Sequence, residues 1–289
     1  MKKRNLICIL ITLSLSLALQ GCIQLRPDET DSGKEQPTLP EDPTHEYETA
    51  VYVYQSDVDE DVLLTNFSQE YLLLANKVYV LGKDYEPASI STLSCATNGG
   101  KTVELETRTA QALYEMLDEM KADGVTDVAV TSGYRSYGYQ VSLNNHYLDV
   151  ESSKISEDAY RHFGYAYIKE NYLDKGKTKL SPIDAEAVVR SYSAEPGKSE
   201  HQTGLCIDFV TSTAGLTEAF ENTEAFAWLS ENAYKFGFIL RYPKGKEGIT
   251  GYTYEPWHYR FVGREAATDI YFGNLTLEEY LGVSQNEQQ

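Results

Sequence analysis

The pattern of apolar and polar residues predicts two amphipathic helices. The first covers residues 107–122, where apolar side chains recur at three- and four-residue spacing and Gly124 follows as a stop signal. The second covers residues 223–236 and ends before Gly237. The apolar stripe of the first helix consists of Ala110, Leu113, Leu117 and Met120.

Short apolar runs predict strands at residues 125–131, 205–210 and 238–242. Helices mixed with short strands, without regular alternation of the two, indicate an α+β fold. Residues 48–284 contain no internal repeat and no second linker, so we predict a single domain there and a short tail at 285–289.

The amino terminus has the pattern of an export signal. Basic residues at 2–4 precede an apolar run at 6–19, and Gln20, Gly21 and Cys22 follow. The run is shorter than the about 20 apolar residues that a membrane span needs. Residues 19–22 resemble a bacterial lipobox, which implies a signal peptide at 1–21 and a lipid anchor on Cys22. The alternative is an ordinary secretory signal in which Cys22 is incidental.

Residues 22–47 are rich in proline, acidic and small polar residues. Such a composition cannot bury enough apolar surface to fold, so we predict a disordered linker. The linker either holds the folded domain away from the membrane or is a permissive spacer without a length requirement. Both interpretations fit the composition.

The chain is strongly acidic, with 44 Asp and Glu against 25 Lys and Arg and a net charge of −19 at pH 7. A nucleic acid partner is not expected, because phosphate contacts need a basic surface. We expect a monomer. Cys95 and Cys206 could form a disulfide in an exported protein. Since Cys206 lies on a predicted buried strand, we favour packing as its role.

Two segments supply the residue types of a hydrolytic zinc site. The first contains His201 and Asp208, and the second contains Glu255 and His258. A catalytic zinc ion typically takes three protein ligands and keeps one position for water, while a free carboxylate nearby handles the proton. We therefore predict Zn²⁺ as the cofactor, held by His201, Asp208 and His258, with Glu255 as the base.

This assignment requires two changes of chain direction. His201 and Asp208 are seven residues apart, so a straight strand would point them to opposite faces. We predict a turn at Gly204. Glu255 and His258 are three apart in a segment that favours extended backbone, so we predict a bend at the intervening proline.

Other candidate motifs are weaker. His45 begins a segment like the H-E-x-x-H helix of metalloproteases, but Thr49 occupies the position of the second ligand. His146 and His162 lie in a polar stretch predicted to be helical, where a structural role is the commoner one. The sequence contains neither S-x-x-K nor G-x-S-x-G, so the serine-based hydrolytic routes lack their nucleophile motifs.

Three segments together resemble a known family. They read S-E-H-Q-T-G-L-C-I-D at 199–208, E-P-W-H-Y-R at 255–260, and S-G-Y-R-S at 132–136 with a glutamine downstream. These segments are similar to the motifs of the VanY-type D-alanyl-D-alanine carboxypeptidases, peptidase family M15B, which includes LdcB/DacB-like L,D-carboxypeptidases. The likeness runs from about residue 70 to about residue 265, and it implies the Hedgehog/D,D-peptidase zinc fold.

The resemblance also implies a role for each matching position. The implied zinc ligands are His201, Asp208 and His258. The implied catalytic groups are Glu255, which activates water, and Arg135, which stabilises the oxyanion. The implied contacts to the terminal residue of the substrate are Gln140, Ser199 and Tyr242.

The function that follows is a zinc-dependent D,D-carboxypeptidase that removes the C-terminal D-alanine from peptidoglycan stem peptides. Its implied location is outside the cytoplasm, as a bacterial membrane-anchored lipoprotein that faces the cell wall. An L,D-carboxypeptidase acting on tetrapeptide stems is the alternative, because motifs do not read the stereochemistry of the penultimate residue. A non-catalytic peptide- or zinc-binding lipoprotein of the same fold is a second alternative, although a binding module has no need of the unligated Glu255.

The interval 141–198 departs from the family pattern, because it is longer than in compact members. Two interpretations stay open. The interval either forms helices that wall the cleft or is a solvated elaboration far from the chemistry.

Overall fold

The computed structural model of the protein describes residues 35–37, 53–63 and 69–283. The predicted signal peptide at 1–21, the lipidated Cys22 and the tail at 285–289 lie outside the described residues, as does the linker at 22–47 except for 35–37. Among the described residues, no helix has both the length and the apolar character needed to cross a membrane.

A four-stranded antiparallel sheet forms the centre of the fold, with strand order β3-β4-β6-β5. All five residues of β4 are buried, because the strand lies between two others and packs on both faces. A separate pair of antiparallel strands, β1 and β2, leads into the first helix. The strands are β1 (Ile90–Thr92), β2 (Glu104–Glu106), β3 (Ala129–Ser132), β4 (Cys206–Val210), β5 (Phe238–Leu240) and β6 (His258–Phe261).

The first predicted helix is confirmed as α1, Thr107–Ala122. Its N-terminus is capped by Glu106, whose carboxylate accepts hydrogen bonds from the backbone amides of Arg108 and Thr109. The apolar face of α1 packs against the central sheet in the main core. Its fully buried members include Ala110, Leu113, Met116 and Met120.

The second predicted helix is confirmed only in part. It consists of α5 (Glu224–Asn232) and a separate 3₁₀ turn, Ala233–Phe236. Gly237 then adopts a left-handed conformation with φ of 82°, which turns the chain into β5. β3 begins four residues later than predicted, and β5 ends two residues earlier. The remaining carboxyl-terminal helices are α6 (Glu247–Thr250), α7 (Arg264–Gly273) and α8 (Leu277–Tyr280).

Three helices fill most of the interval 141–198. They are α2 (Tyr137–Ser153), α3 (Glu157–Asn171) and α4 (Pro182–Tyr192), and α3 is broken at Gly164. Each begins with a serine whose side chain caps a backbone amide. The group has an apolar core of its own, built from Ala159, Ile168, Tyr172, Leu180, Ala185 and Val188.

The close approach of Gly133 to β2 gives a testable prediction. A Cβ atom at this position would lie 2.3 Å from the carbonyl oxygen of Glu104 and 2.8 Å from Cγ1 of Val103. We expect Gly133→Ala to lower the free energy of unfolding by about 1–3 kcal/mol, measured by urea denaturation. Gly138→Ala is the matched control, because nothing lies within 4 Å of its Cβ position. Equal stability of the two variants would contradict this reading of the contact.

Candidate metal centre and active site

The central sheet brings Asp208 and His258 together. They lie directly opposite each other on the neighbouring strands β4 and β6, so their side chains share one face. Asp208 Oδ1 lies 3.0 Å from His258 Nδ1. Both residues are buried. Asp208 therefore points into the interior of the fold.

His201 reaches the same place from a 3₁₀ turn, Glu200–Thr203. The predicted turn at Gly204 is confirmed, since this residue has φ of 69° and its amide donates to the carbonyl of His201. The reversal places His201 Nε2 3.2 Å from Asp208 Oδ2. The centroids of the two imidazole rings lie 5.1 Å apart.

The hydrogen bonds of the two imidazoles fix which nitrogen faces Asp208. His201 Nδ1 lies 2.7 Å from the carbonyl oxygen of Gly133, which can only accept, so Nδ1 carries a proton and Nε2 is the nitrogen that can bind a metal once the ring is neutral. His258 uses the opposite atoms. Its Nδ1 faces Asp208, and its buried Nε2 lies 3.5 Å from Glu200 Oε2 with no closer hydrogen-bond partner in the described part of the chain.

A zinc ion fits this donor set. In tetrahedral coordination with bonds of about 2.0–2.1 Å, ligand nitrogen and oxygen atoms lie about 3.3 Å apart. The measured separations from Asp208 to the two imidazoles are 3.2 and 3.0 Å. Each imidazole also has a polar group behind it, the Gly133 carbonyl or the Glu200 carboxylate, as metal-binding histidines usually do.

Cys206 also lies at this centre. It precedes Asp208 by two residues on β4, so the two side chains project from the same face. The Cys206 sulfur and one ring nitrogen each of His201 and His258 lie within 4.8 Å of one another. Cys95 and Cys206 are both free thiols, so the structure does not contain the disulfide that the sequence left open.

In the metal-free protein, the charges around the centre favour the protonated forms of His201 and His258. Burial and Arg135 act to lower the pKa of His201, but Cys206 and Asp208 outweigh them and raise it to about 9. Burial also acts to lower the pKa of His258, but Cys206, Asp208 and Glu200 outweigh it and raise this pKa well above its usual value. Burial would raise the pKa of Asp208, yet His201 and His258 hold it well below its usual range.

Zinc binding should therefore release protons. A histidine must be neutral to bind the metal, and at pH 7 His201 is protonated because its pKa is about 9. We expect the apparent zinc affinity to weaken steadily as the pH falls from 9 to 6, by at least about tenfold per unit for one displaced proton. Calorimetric titration in buffers of different ionisation enthalpy measures the released protons directly. A heat that does not depend on the buffer would contradict this protonation state.

Glu255 lies beside the three predicted metal ligands but is not one of them. Its Oε2 is 3.6 Å from His258 Nδ1. The bend predicted at the proline is confirmed, because the amide of His258 donates to the carbonyl of Glu255 across Pro256 and Trp257. Burial raises the pKa of Glu255 to about 7, with a further rise from Asp208, against the opposing effect of nearby cationic groups. A carboxylate with a pKa near neutrality can both take and return a proton.

Arg135 contacts Asp208 through Oδ2, whereas His258 contacts it through Oδ1. Its backbone amide donates to the carbonyl of His201, and its Nη2 lies 3.2 Å from Asp208 Oδ2. The side chain is 20% exposed, so the guanidinium borders the cleft while it contacts the donor cluster. This location provides a fixed positive charge next to the candidate metal position, as oxyanion stabilisation requires.

The predicted substrate-binding residues divide into two groups. Ser199 and Tyr242 line a cleft of about 920 Å³ above the donor cluster. The Tyr242 ring lies 4.8 Å from the ring of His258. Gln140 is not among the lining residues. Its Nε2 donates to the carbonyl of Ala194, which lines the cleft, at 2.7 Å, so a direct contact with substrate stays a prediction.

The helices α2, α3 and α4 form one wall of this cleft. Of the two interpretations left open for the interval 141–198, the structure supports the wall. His162, for which the sequence favoured a structural role, is one of the lining residues. His146 does not line the cleft, and its ring contacts that of Tyr147. The wall residues include Leu143, Tyr147, Arg161, His162 and Tyr192.

A buried network of charges lies behind His258, and the sequence analysis did not find it. Glu200 Oε1 accepts hydrogen bonds from Arg241 Nε at 2.7 Å and from Arg260 Nη1 at 2.8 Å. Arg241 also pairs with Glu278 at 2.6 and 2.8 Å. These side chains are fully buried. The available signal was the presence of arginines within otherwise apolar strand segments.

The chain is similar to known proteins. The family model VanY, described as D-alanyl-D-alanine carboxypeptidase, matches residues 102–264. YodJ of Bacillus subtilis is 39% identical over 73% of the chain, and the D-alanyl-D-alanine carboxypeptidase of Enterococcus faecalis is 36% identical over 74%. The chain spans about two thirds of these relatives, 67% and 66% of their respective lengths.

Solved structures show the same likeness. The LdcB LD-carboxypeptidase has a TM-score of 0.57 and 36% identity, with 74% of this chain and 86% of that chain covered. The D,D-pentapeptidase VanY, solved with Zn(II), has a TM-score of 0.55 and 33% identity, with 73% and 99% covered. The mixed helix and sheet architecture of the single domain is that of these zinc peptidases. The chain belongs to the VanY family of D-alanyl-D-alanine carboxypeptidases.

Proposed function

We propose that this protein is a zinc-dependent D,D-carboxypeptidase that removes the C-terminal D-alanine from peptidoglycan stem peptides. The observation that carries the proposal is the convergence of His201, Asp208 and His258, from three separate elements, beside the unligated carboxylate of Glu255. Family relatives include a VanY enzyme solved with Zn(II) and VanYB solved with D-alanine-D-alanine.

The donors of the centre are His201 Nε2, a carboxylate oxygen of Asp208 and His258 Nδ1. A zinc ion held there supplies Lewis acidity, which polarises the scissile carbonyl and lowers the pKa of water. Two neutral histidines and one aspartate leave a net charge of about +1 at the centre. The Gly133 carbonyl and Glu200 hold the imidazoles in the required orientation.

The proton transfers fall to Glu255. In its deprotonated form the carboxylate takes a proton from the attacking water, and it then returns that proton to the leaving amine of D-alanine. Arg135, which contacts Asp208, places a fixed positive charge where the carbonyl oxygen becomes negative. Ser199 and Tyr242 line the part of the cleft next to the centre, where the terminal residue binds.

Digestion of defined stem peptides tests the proposal. The purified, zinc-loaded protein should release D-alanine from a pentapeptide stem, detected by mass spectrometry. A pentapeptide with an amidated C-terminus should resist, because a carboxypeptidase requires the free terminal carboxylate, whereas an endopeptidase would cut both. Zinc bound at one equivalent without D-alanine release from any stem would favour the non-catalytic binding protein and overturn the proposal.

L,D-carboxypeptidase activity is the second candidate. The observation in its favour is the similarity to the LdcB LD-carboxypeptidase, whose identity and TM-score are as high as those of VanY. The same assay decides between the two candidates, since cleavage confined to the tetrapeptide stem would identify the L,D activity.

The proposal extends to the location of the enzyme. Residues 1–21 would be removed as a signal peptide, Cys22 would carry the lipid anchor, and the domain would act as a monomer outside the cytoplasm, facing the cell wall. The support for the anchor is the lipobox-like sequence at 19–22. Expression of a Cys22→Ala variant in a bacterial host tests it, because the anchored form should sediment with membranes and the variant should not.

A further inference from the structure

We propose that Cys206 is a thiol donor of the metal centre, which gives the centre a second coordination mode for soft divalent cations such as Cd²⁺. In this mode the ion is held by His201, Cys206 and His258. The inference rests on the metal centre of the proposed function, but not on its substrate or reaction.

The geometry of the three side chains carries the inference. The Cys206 sulfur and one nitrogen of each imidazole lie within 4.8 Å of one another. In a tetrahedral zinc site with a sulfur bond of about 2.3 Å and a nitrogen bond of about 2.0–2.1 Å, those atoms are about 3.6 Å apart. The longer bonds of Cd²⁺ widen this separation. Small side-chain rotations, moving atoms by about 1 Å, therefore bring the three donors onto one ion.

A second observation comes from His258. Its Nε2 is buried and has no hydrogen-bond partner closer than the Glu200 carboxylate oxygen at 3.5 Å, in the part of the chain that the structure describes. The Glu200 contact leaves the opposite nitrogen, Nδ1, turned toward Asp208 and the donor cluster, where it can bind an ion. The donor cluster of His201, Cys206 and His258 is buried throughout.

The strand places the two alternative anionic donors, Cys206 and Asp208, two residues apart. Cys206 lies opposite Arg260 and Asp208 lies opposite His258, on one face of β4. Two residues along a strand span about 6.6 Å, so sulfur and carboxylate reach the imidazoles from different positions. Asp208 also binds Arg135, whereas Cys206 offers the softer atom. A soft cation thus exchanges the carboxylate for the thiolate.

The binding step balances simply. Binding of Cd²⁺ breaks the S–H bond of Cys206, the sulfur keeps the electron pair and donates it to the ion, and the proton leaves to the solvent. No oxidant or reductant is needed.

Titration of the metal-free full chain with Cd²⁺ tests the inference. Thiolate ligation produces an ultraviolet charge-transfer absorption that nitrogen and oxygen ligands do not. Every arm carries Cys8→Ser and Cys22→Ser, so that Cys95 and Cys206 are the remaining thiols of the four. The absorption should rise to one equivalent of Cd²⁺ in this background and in the same background with Cys95→Ala, the matched control.

When the same background carries Cys206→Ala in place of Cys95→Ala, the absorption should disappear. The Cd²⁺ affinity should fall by at least about tenfold, because the ion loses one of its interactions with the protein. Absence of the absorption from the Cys95→Ala protein would overturn the inference, and this arm does not depend on whether the Cys206 variant folds. Persistence of the absorption after Cys206→Ala would overturn it as well. Because no substrate is used, failure here is distinct from failure to release D-alanine.

Discussion

Glu255→Gln should lower the rate of D-alanine release by about 10²–10⁴-fold and leave one equivalent of zinc bound. Glutamine keeps the size of the side chain but cannot accept the proton of the attacking water. Zinc should remain, because Glu255 Oε2 lies 3.6 Å from His258 Nδ1 and is not one of the three donors. Stem-peptide turnover measures the first expectation, and elemental analysis of the dialysed protein measures the second.

A glutamate on the outer face of the cleft wall provides the control. Glu186 is half exposed and pairs with Arg190 one helical turn away on α4. Glu186→Gln removes the same charge as Glu255→Gln, and both turnover and zinc content should stay at the level of the unmodified protein. Unchanged turnover in Glu255→Gln would remove this residue from the mechanism.

Glu200→Gln should weaken zinc binding by about 10–100-fold, although Glu200 is not among the predicted metal ligands. Its Oε2 lies 3.5 Å from His258 Nε2, and this contact keeps the opposite nitrogen turned toward Asp208. The two arginines beside Glu200 and its contact with His258 hold the pKa of this carboxyl far below its usual range, against the opposing effect of burial, so the residue is ionised. Competition with a chromophoric chelator measures the zinc affinity.

Glu278→Gln is the control that distinguishes loss of the contact that orients the His258 imidazole from a general loss of stability. Glu278 binds the same Arg241, and in the described part of the chain it makes no hydrogen bond or ion pair with His258. Loss of either carboxylate leaves a buried arginine short of its partner, and breaking such a pair costs about 3–5 kcal/mol of unfolding free energy. We expect both variants to unfold at lower temperature in a chelator, but only Glu200→Gln to lose zinc affinity. Equal losses would contradict the role of the Glu200 contact.

The parts of the site that sequence reasoning predicted are those encoded by local spacing. The seven-residue separation of His201 and Asp208 required a reversal, and Gly204 was the residue able to adopt it. Likewise, the three-residue separation of Glu255 and His258 required a bend, which the structure has at Pro256 and Trp257. In both cases the physical constraint lay within ten residues of chain.

The parts that were missed depend on long-range pairing. Glu200 meets Arg241 and Arg260 across 41 and 60 residues, and no local pattern signals that distance. Cys206 was assigned a packing role, although a period of two places it on the same face as Asp208. Two helix breaks were also missed: α3 is interrupted at Gly164, where φ is 78°, and the second predicted helix ends in a 3₁₀ turn after α5.

The small apolar core shared by α2, α3 and α4 has a consequence for evolution and engineering. Because residues such as Ile168 and Val188 pack mainly within this group, substitutions on its inner surface do not have to be matched by compensating changes in the sheet. One catalytic frame can therefore accept exchanged helical modules. Grafting this module from a relative with a different stereochemical preference would test whether the cleft wall sets selectivity, because the metal-binding strands stay unaltered.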